Sequence, residues 1–184
     1  PEQLEQFTAA LSENRTIGAE LIGAMENISN QTHPMEVLQA VIPLLARDDP
    51  GVKTPNRDNT LISGIRLVAA MATIVAAWHR KRTGQPVVTP DPDLGHAENF
   101  LYMLTGQRPD AETARLFDVC LVLHAEHSFN ASTFSARQVA STRAHMYAAV
   151  SAAVGSLSGE LHGGANSRVM QMLKEIGSVE AIDA

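Results

Sequence analysis

The stretch LVAAMATIVAAW, residues 67–78, is the longest apolar run in the sequence. It lies inside a longer helical pattern, which Asp58 or Asn59 can cap and which Gly84-Gln85-Pro86 ends after about residue 82. The apolar run itself is shorter than the roughly 20 residues that span a bilayer, and Arg66 directly precedes it. We therefore predict a buried core helix at this place and no membrane-spanning segment.

The segments on either side also have apolar residues at helical spacing. They predict further helices over 2–13, 18–28, 34–48, 93–105, 110–127, 134–154 and 164–176. The segment QPVVTPDPD, residues 85–93, has three prolines and is predicted to be an extended connector. Since no stretch has convincing strand periodicity, we predict an all-α protein, a multi-helix bundle of roughly seven or eight helices forming one domain over 1–184.

The composition limits the function classes that fit the chain. With 45% hydrophobic and 18% charged residues, the 184-residue chain can form a substantial core. A net charge of −6 disfavours nucleic acid as a partner, because the one dense basic stretch, 79–82, fits the last turn of a helix. The single cysteine, Cys120, is expected to pack as a small apolar residue and fits a cytoplasmic protein.

His162 lies in the stretch LHGGAN, residues 161–166, directly before the last predicted helix. The partial positive charge at a helix N-terminus disfavours imidazolium, so His162 is expected to stay neutral and to keep an N–H to donate. Gly163 and Gly164 leave room for a ligand beside backbone N–H groups. Because short glycine motifs also occur in ordinary turns, the stretch alone leaves open both a ligand site and a tight interhelical turn.

His124 and His127 are three residues apart near the end of one predicted helix, so they share a helix face. A metal pair is conceivable, but no HExxH motif and no nearby carboxylate pattern completes a ligand set. We therefore expect a hydrogen-bonded pair at a helix end and no metal site. Three further histidines are expected to be structural: His33 as a cap or surface residue, His96 on a helix face near the connector, and His145 in the core.

Five stretches, taken in order, resemble the citrate synthase family. They are THPMEVL, IRLVAAMATIVAAWHR, PDPDLGHAENFLYMLTG, LHAEHSFNASTFSAR and GSLSGELHGGANSRVMQML. Together they are specific and cover nearly the whole chain, which the resemblance identifies as the first part of the family's large helical domain. The resemblance implies condensation of acetyl-CoA with oxaloacetate to give citrate and CoA, with no cofactor beyond these substrates.

The resemblance also implies roles for individual residues. In this family the histidine of the HGGAN-type motif hydrogen-bonds the thioester carbonyl as it becomes an enol, and His162 matches it. The second histidine of the HAEH-type motif contacts oxaloacetate, and His127 matches it. Asn130, in the same motif, is assigned to the substrate-binding side, and Ser132 could orient the imidazoles with it.

Other parts that the resemblance implies have no counterpart in this sequence. They are the proton-abstracting aspartate, a third active-site histidine, the arginines that grip the substrate carboxylates, and the small domain that closes over CoA. Arg137 and Arg143 do not match those arginines and are expected on a solvated helix face. Since the sequence begins at Pro1 without Met, we expect a piece of a longer protein, inactive alone because enolisation needs a base and an acid together.

Two alternatives remain at the level of sequence. The first is a non-catalytic helical dimerisation module or truncated paralogue, since the family forms homodimers through packed helices. The Ala- and Ser-rich helix 134–154 is expected deep in the bundle or in such a contact, and a homodimer is expected in either case. The second is a 2-methylcitrate synthase that uses propionyl-CoA, because one methylene is worth only about 1–3 kcal/mol of discrimination.

Overall fold

The computed structural model describes residues 2–126 and 128–178, and within those ranges it is helical without strands. The described residues form nine α-helices: α1 (Glu2–Glu13), α2 (Ala19–Glu26), α3 (Pro34–Val41), α4 (Arg57–Arg82), α5 (His96–Thr105), α6 (Ala111–His124), α7 (Ala131–Ser141), α8 (Met146–Leu157) and α9 (Gly164–Ile176). Two short 3-10 helices, Ile42–Asp48 and Pro50–Lys53, connect α3 to α4. The all-α prediction is confirmed, with more helices than the seven or eight expected.

Helix α4 is the centre of the core. Its buried face repeats every three or four residues, through Leu67, Ala70, Ile74, Ala77 and Trp78. Helices α1, α2, α3, α5 and α8 all pack against it. The whole 26-residue helix is long and apolar enough to cross a membrane by length and composition, which the run 67–78 alone did not indicate. In this structure it has the core position that its apolar run predicts.

The connector between α4 and α5 has no regular secondary structure, as its prolines predict. Buried polar groups hold it against the bundle. Arg15, only 1% exposed, donates from Nη1 to the carbonyl oxygens of Asp91 (3.2 Å) and Leu94 (2.7 Å). Asn99 Oδ1 accepts the backbone N–H of Asp91 at 2.8 Å. These contacts satisfy backbone groups that an irregular segment cannot pair by itself.

The predicted helix 134–154 is two helices in the structure. Arg143, between α7 and α8, has φ 64°, a left-handed conformation that a right-handed helix cannot pass through. His145 then caps α8, because its Nδ1 accepts the backbone N–H of Ala148 at 3.1 Å. The expected deep position holds only for α8, which buries Tyr147, Ala149 and Val154, whereas α7 has no buried residue. His145 itself is half-buried and caps a helix, so the expectation that it lies in the core was wrong.

Three other local predictions can be compared with the structure. His33 caps α3 as expected, with Nδ1 accepting the backbone N–H of Met35 at 3.2 Å. The cap of α4 is Asn56, whose Oδ1 accepts from the backbone of Asn59 at 2.9 Å, so the predicted caps at 58 or 59 were wrong. Cys120 is exposed and not packed, because α6 contacts α5 on one face and leaves its opposite face uncovered.

Candidate functional site

The candidate site lies where the start of α7 meets the turn before α9. Asn130 caps α7, and its Oδ1 accepts the backbone N–H of Thr133 at 2.6 Å. The backbone N–H of Ser132 donates to Nε2 of His162 at 3.3 Å, and the Ser132 hydroxyl oxygen lies 3.0 Å from the same nitrogen. The structure thus brings His162 to Ser132, 30 residues earlier in the chain.

The contact with the Ser132 backbone N–H indicates the tautomer of His162. A backbone N–H can only donate, so Nε2 acts as an acceptor towards Ser132 and the ring proton lies on Nδ1. The Ser132 hydroxyl donates to Asn130 Oδ1 at 2.7 Å, which also accepts from Thr133. With this tautomer the Ser132 N–H and the Ser132 hydroxyl each have an acceptor. A proton on Nε2 could donate to the Ser132 hydroxyl oxygen at 3.0 Å, but it would leave the Ser132 N–H without an acceptor.

Gly163 allows the turn that carries His162. Its backbone N–H donates to the carbonyl oxygen of Leu157 at 3.0 Å, which folds the chain back onto the end of α8. A Cβ built on Gly163 would lie 2.2 Å from that oxygen, closer than any side chain tolerates. At Gly164 the nearest atom to such a Cβ is 3.7 Å away. Gly163 is therefore needed because the Leu157 carbonyl oxygen leaves no space for a side chain, in addition to any space that a ligand would need.

Two large apolar side chains next to the site are fully exposed. Phe129 precedes the cap Asn130, has φ 63°, and is 99% exposed. Leu161 precedes His162 and is also 99% exposed. A bulky residue in the left-handed region is an outlier of the kind found at functional sites. The site thus consists of half-buried polar groups with exposed apolar neighbours, and sequence reasoning missed Phe129.

The other predicted site residues have different outcomes. His127 lies outside the described residues. His124 ends α6, where its Nδ1 lies 2.7 Å from the carbonyl oxygen of Cys120, so it is hydrogen-bonded at a helix end. Across 2–126 and 128–178, no three His, Cys, Asp or Glu side chains form a group that could hold a metal. Arg137 and Arg143 are both exposed, as expected, although Arg143 lies between α7 and α8 and not on a helix face.

A buried polar cluster that the sequence did not reveal supports α8, the helix that leads to His162. Asp49, 4% exposed, accepts from the hydroxyls of Ser63 (2.6 Å) and Tyr147 (2.7 Å) and from the backbone of Gly51 (2.9 Å). Burial alone would raise the pKa of Asp49, but these hydrogen bonds and the nearby Arg66 outweigh it and hold the pKa below its usual value. Burial and the bond to Asp49 raise the pKa of Tyr147.

Comparisons with known proteins agree on one family. The family model described as "Citrate synthase, C-terminal domain" matches residues 1–184. A citrate synthase of Deinococcus radiodurans is 45% identical over 183 residues, which is 100% of this chain and 48% of that protein. A 2-methylcitrate synthase of Mycobacterium tuberculosis is 37% identical, over 95% of this chain and 44% of that protein.

The fold comparison agrees with the sequence comparison. The crystal structure of citrate synthase from Pyrobaculum aerophilum superposes with a TM-score of 0.88 at 35% identity, and it covers 96% of this chain and 46% of that one. The chain thus spans about half the length of the relatives that it matches.

Proposed function

Because the chain belongs to the citrate synthase family, we propose that the whole protein condenses acetyl-CoA with oxaloacetate and releases citrate and CoA. The contact between Ser132 and His162 is the observation that supports this proposal most. It supports an imidazole with its proton on Nδ1, in the turn between α8 and α9. An imidazole in this form can donate a hydrogen bond from Nδ1 to a substrate oxygen.

In the proposed reaction a base removes a proton from the methyl group of acetyl-CoA. The electron pair of that C–H bond forms the enol double bond, and the thioester oxygen gains negative charge. His162 stabilises this oxygen by donating a hydrogen bond, as other oxyanion donors do. The electron pair of the enol double bond then forms a bond from the methyl carbon to the ketone carbon of oxaloacetate. The π pair of that ketone moves to its oxygen, which takes up a proton. Water then adds to the thioester carbonyl and the C–S bond breaks, which releases citrate and CoA thiol.

We assign the remaining site residues by the same proposal. His127 contacts oxaloacetate, and Asn130 orients the site by accepting hydrogen bonds from the first turn of α7. Oxaloacetate is a dianion, which needs cationic partners in a site sheltered from water. Because Phe129 and Leu161 are fully exposed beside this site, we expect that this chain alone lacks such shelter and has no measurable turnover.

We also propose that the whole protein is a homodimer in the cytoplasm. Helices α6, α7 and α9 have no buried residue, yet each presents large apolar side chains to solvent. These include Leu116, Val122, Leu123, Phe134, Met170 and Leu173, each more than half exposed. Apolar area on this scale is typical of an interface, and a second copy of the chain is the partner that we propose.

One alternative substrate has a specific observation in its favour. The similarity to a 2-methylcitrate synthase supports propionyl-CoA as the acyl donor, with the same chemistry at His162. One methylene changes binding by only about 1–3 kcal/mol, so one enzyme can accept both acyl donors at different rates. The ratio of kcat/KM for the two thioesters decides between them.

Release of free CoA thiol, measured with oxaloacetate present, tests the proposal. We expect the whole protein, with any sequence that flanks this chain in its gene, to release thiol, and the 184-residue chain to release none. His162→Ala in the whole protein should lower kcat by roughly 100-fold or more, the usual loss for one oxyanion donor. The control His33→Asn keeps the cap of α3 and should leave kcat unchanged. An unchanged rate in His162→Ala would exclude the proposed role.

A further inference from the structure

An ion pair bridges the turn that carries His162. Arg168, in the second turn of α9, donates from Nη2 to Oε1 of Glu160 at 2.6 Å. In the sequence Glu160 precedes His162 and Arg168 follows it. The pair therefore connects the chain on both sides of the imidazole that the proposed reaction uses.

The start of α9 lacks the side chains that usually stabilise a helix N-terminus. Its N-cap residue is Gly163, which has no side chain to accept a hydrogen bond, and its first turn contains no acidic residue. A negative charge near a helix N-terminus is favourable because of the helix dipole. Glu160 supplies this charge from the preceding turn, since a Cβ built on Gly164 would lie 3.8 Å from Cγ of Glu160.

Backbone hydrogen bonds join this turn to the start of α9. The carbonyl oxygen of Gly159 accepts the N–H of His162 at 3.0 Å and the N–H of Gly164 at 3.4 Å. The N–H of Ala165 donates to the carbonyl oxygen of His162 at 3.3 Å. A change in the direction of α9 therefore moves the backbone of His162, and with it the ring that contacts Ser132. Since α9 has no buried residue in the described structure, contacts at its start contribute strongly to that direction.

We propose that Glu160, held by Arg168, is a positioning residue for His162, and this inference rests on the function proposed above. The pair keeps the imidazole against Ser132, so that Nδ1 is directed at the thioester oxygen. The side chains of Arg168 and Glu160 are 64% and 80% exposed, and an exposed ion pair shifts such an equilibrium by at most about fivefold. Since neither side chain contacts a substrate in this proposal, the pair affects kcat and not the binding of oxaloacetate.

Steady-state kinetics of the whole protein test the pair. Glu160→Gln and Arg168→Gln should each lower kcat by about threefold to fivefold and leave the KM for oxaloacetate unchanged. The double variant should lose no more than either single variant, because both remove the same interaction. Glu175→Gln and Lys174→Gln, in the last turn of α9, make the same changes in net charge and should leave kcat unchanged. An unchanged kcat in either site variant, or losses that multiply in the double variant, would overturn the proposal.

Ionic strength gives a second test, because salt screens an exposed ion pair. The measured quantity is the ratio of kcat of the unmodified protein to kcat of the double variant Glu160→Gln/Arg168→Gln. This ratio should become smaller as the salt concentration is raised from about 0.1 M to about 1 M. A ratio that stays constant over this range would contradict an electrostatic contact as its cause.

Nitrogen-15 NMR of His162 without substrate separates this inference from the proposed function. In Arg168→Gln the Nε2 signal should move towards the value of free histidine, because the contact with the Ser132 N–H is populated less. If the proposed function is wrong, the unmodified protein releases no thiol, yet this shift still occurs. If the pair does not position His162, thiol is released and the Nε2 signal is the same in Arg168→Gln and the unmodified protein, which would overturn the inference. A thermal melt verifies that each variant is folded.

Discussion

Gly163 and Gly164 are neighbours in LHGGAN but differ in what a side chain would meet. A Cβ on Gly163 would lie 2.2 Å from the backbone oxygen of Leu157, and that oxygen belongs to the last turn of α8. The sequence indicated a turn or a ligand site at this place, and it could not indicate the clash. The close backbone approach cannot be predicted from the sequence, because the glycine is the one residue type that it requires.

Gly163→Ala should lower the free energy of unfolding by about 1–3 kcal/mol, because the Leu157 carbonyl must move to admit the methyl group. Gly164→Ala is the matched control, since its Cβ has 3.7 Å to the nearest atom and alanine favours the helix. Urea unfolding of both variants measures the difference. Equal stability of the two variants would contradict the steric role of Gly163.

Asn130 offers a second test at the scale of one side chain. Its Oδ1 accepts from Thr133 and Ser132, so Asn130→Ala removes a helix cap and should cost about 1 kcal/mol of stability. Asn130→Asp keeps both acceptor positions and should retain most of that stability. Thermal unfolding measures both variants, and a neutral Asn130→Ala would show that α7 does not depend on this cap.

At the scale of the helices, the sequence predicted some boundaries correctly and missed one break. Helices α1 and α9 begin and end as their apolar spacing predicts. Helices α5 and α9 end at Gly106 and Gly177, whose positive φ of 80° and 75° glycine adopts without strain. The break between α7 and α8 was missed because Arg143 is an ordinary helix residue by propensity. Only its left-handed backbone ends α7, and arginine does not indicate that conformation.

Arg143→Gly should raise the free energy of unfolding by up to about 1 kcal/mol, because glycine adopts a φ of 64° without steric strain. Arg143→Ala is the control, since it removes the guanidinium and keeps the strained conformation. Chemical unfolding that shows the same gain for both variants would assign the effect to the side chain and contradict the backbone explanation.

Asp49 connects three parts of the whole molecule: the junction of the two 3-10 helices, the central helix α4 through Ser63, and α8 through Tyr147. The sequence around it, DDPG, indicates a turn and gives no sign of a buried carboxylate. The class of the fold could be predicted from apolar spacing, which acts over one helix at a time. This cluster joins residues 98 positions apart, and only the folded chain brings them together.

The stability of the protein should fall in acid through Asp49. Its pKa in the folded protein lies below the value of 3.8 for the free group, so its contribution is complete above that value and is lost as the pH falls through the folded pKa. Asp49→Asn should lower the free energy of unfolding at pH 7 by about 1–3 kcal/mol. Between about pH 5 and pH 2 the free energy of unfolding of this variant should fall less steeply than that of the unmodified protein. Urea unfolding across this range tests the difference, and parallel curves would contradict it.

Self-association is the second property of the whole molecule that can be tested. If the exposed face of α6 is a homodimer interface, Leu123→Glu should abolish a concentration-dependent dimer in sedimentation equilibrium. Leu61→Glu, near the start of α4 and 64% exposed, is the matched control. Dimerisation that is unchanged in Leu123→Glu would place the interface elsewhere.

The hydrogen-bond arrangement of His162 is the central claim, and nitrogen-15 NMR of the imidazole tests it most directly. Long-range couplings to the ring protons of selectively labelled histidine identify which nitrogen carries the proton, and His162→Ala assigns the signal. The contact with the Ser132 N–H predicts an unprotonated Nε2 and a protonated Nδ1. A proton on Nε2 would contradict the account, because the Ser132 N–H would then have no lone pair to meet.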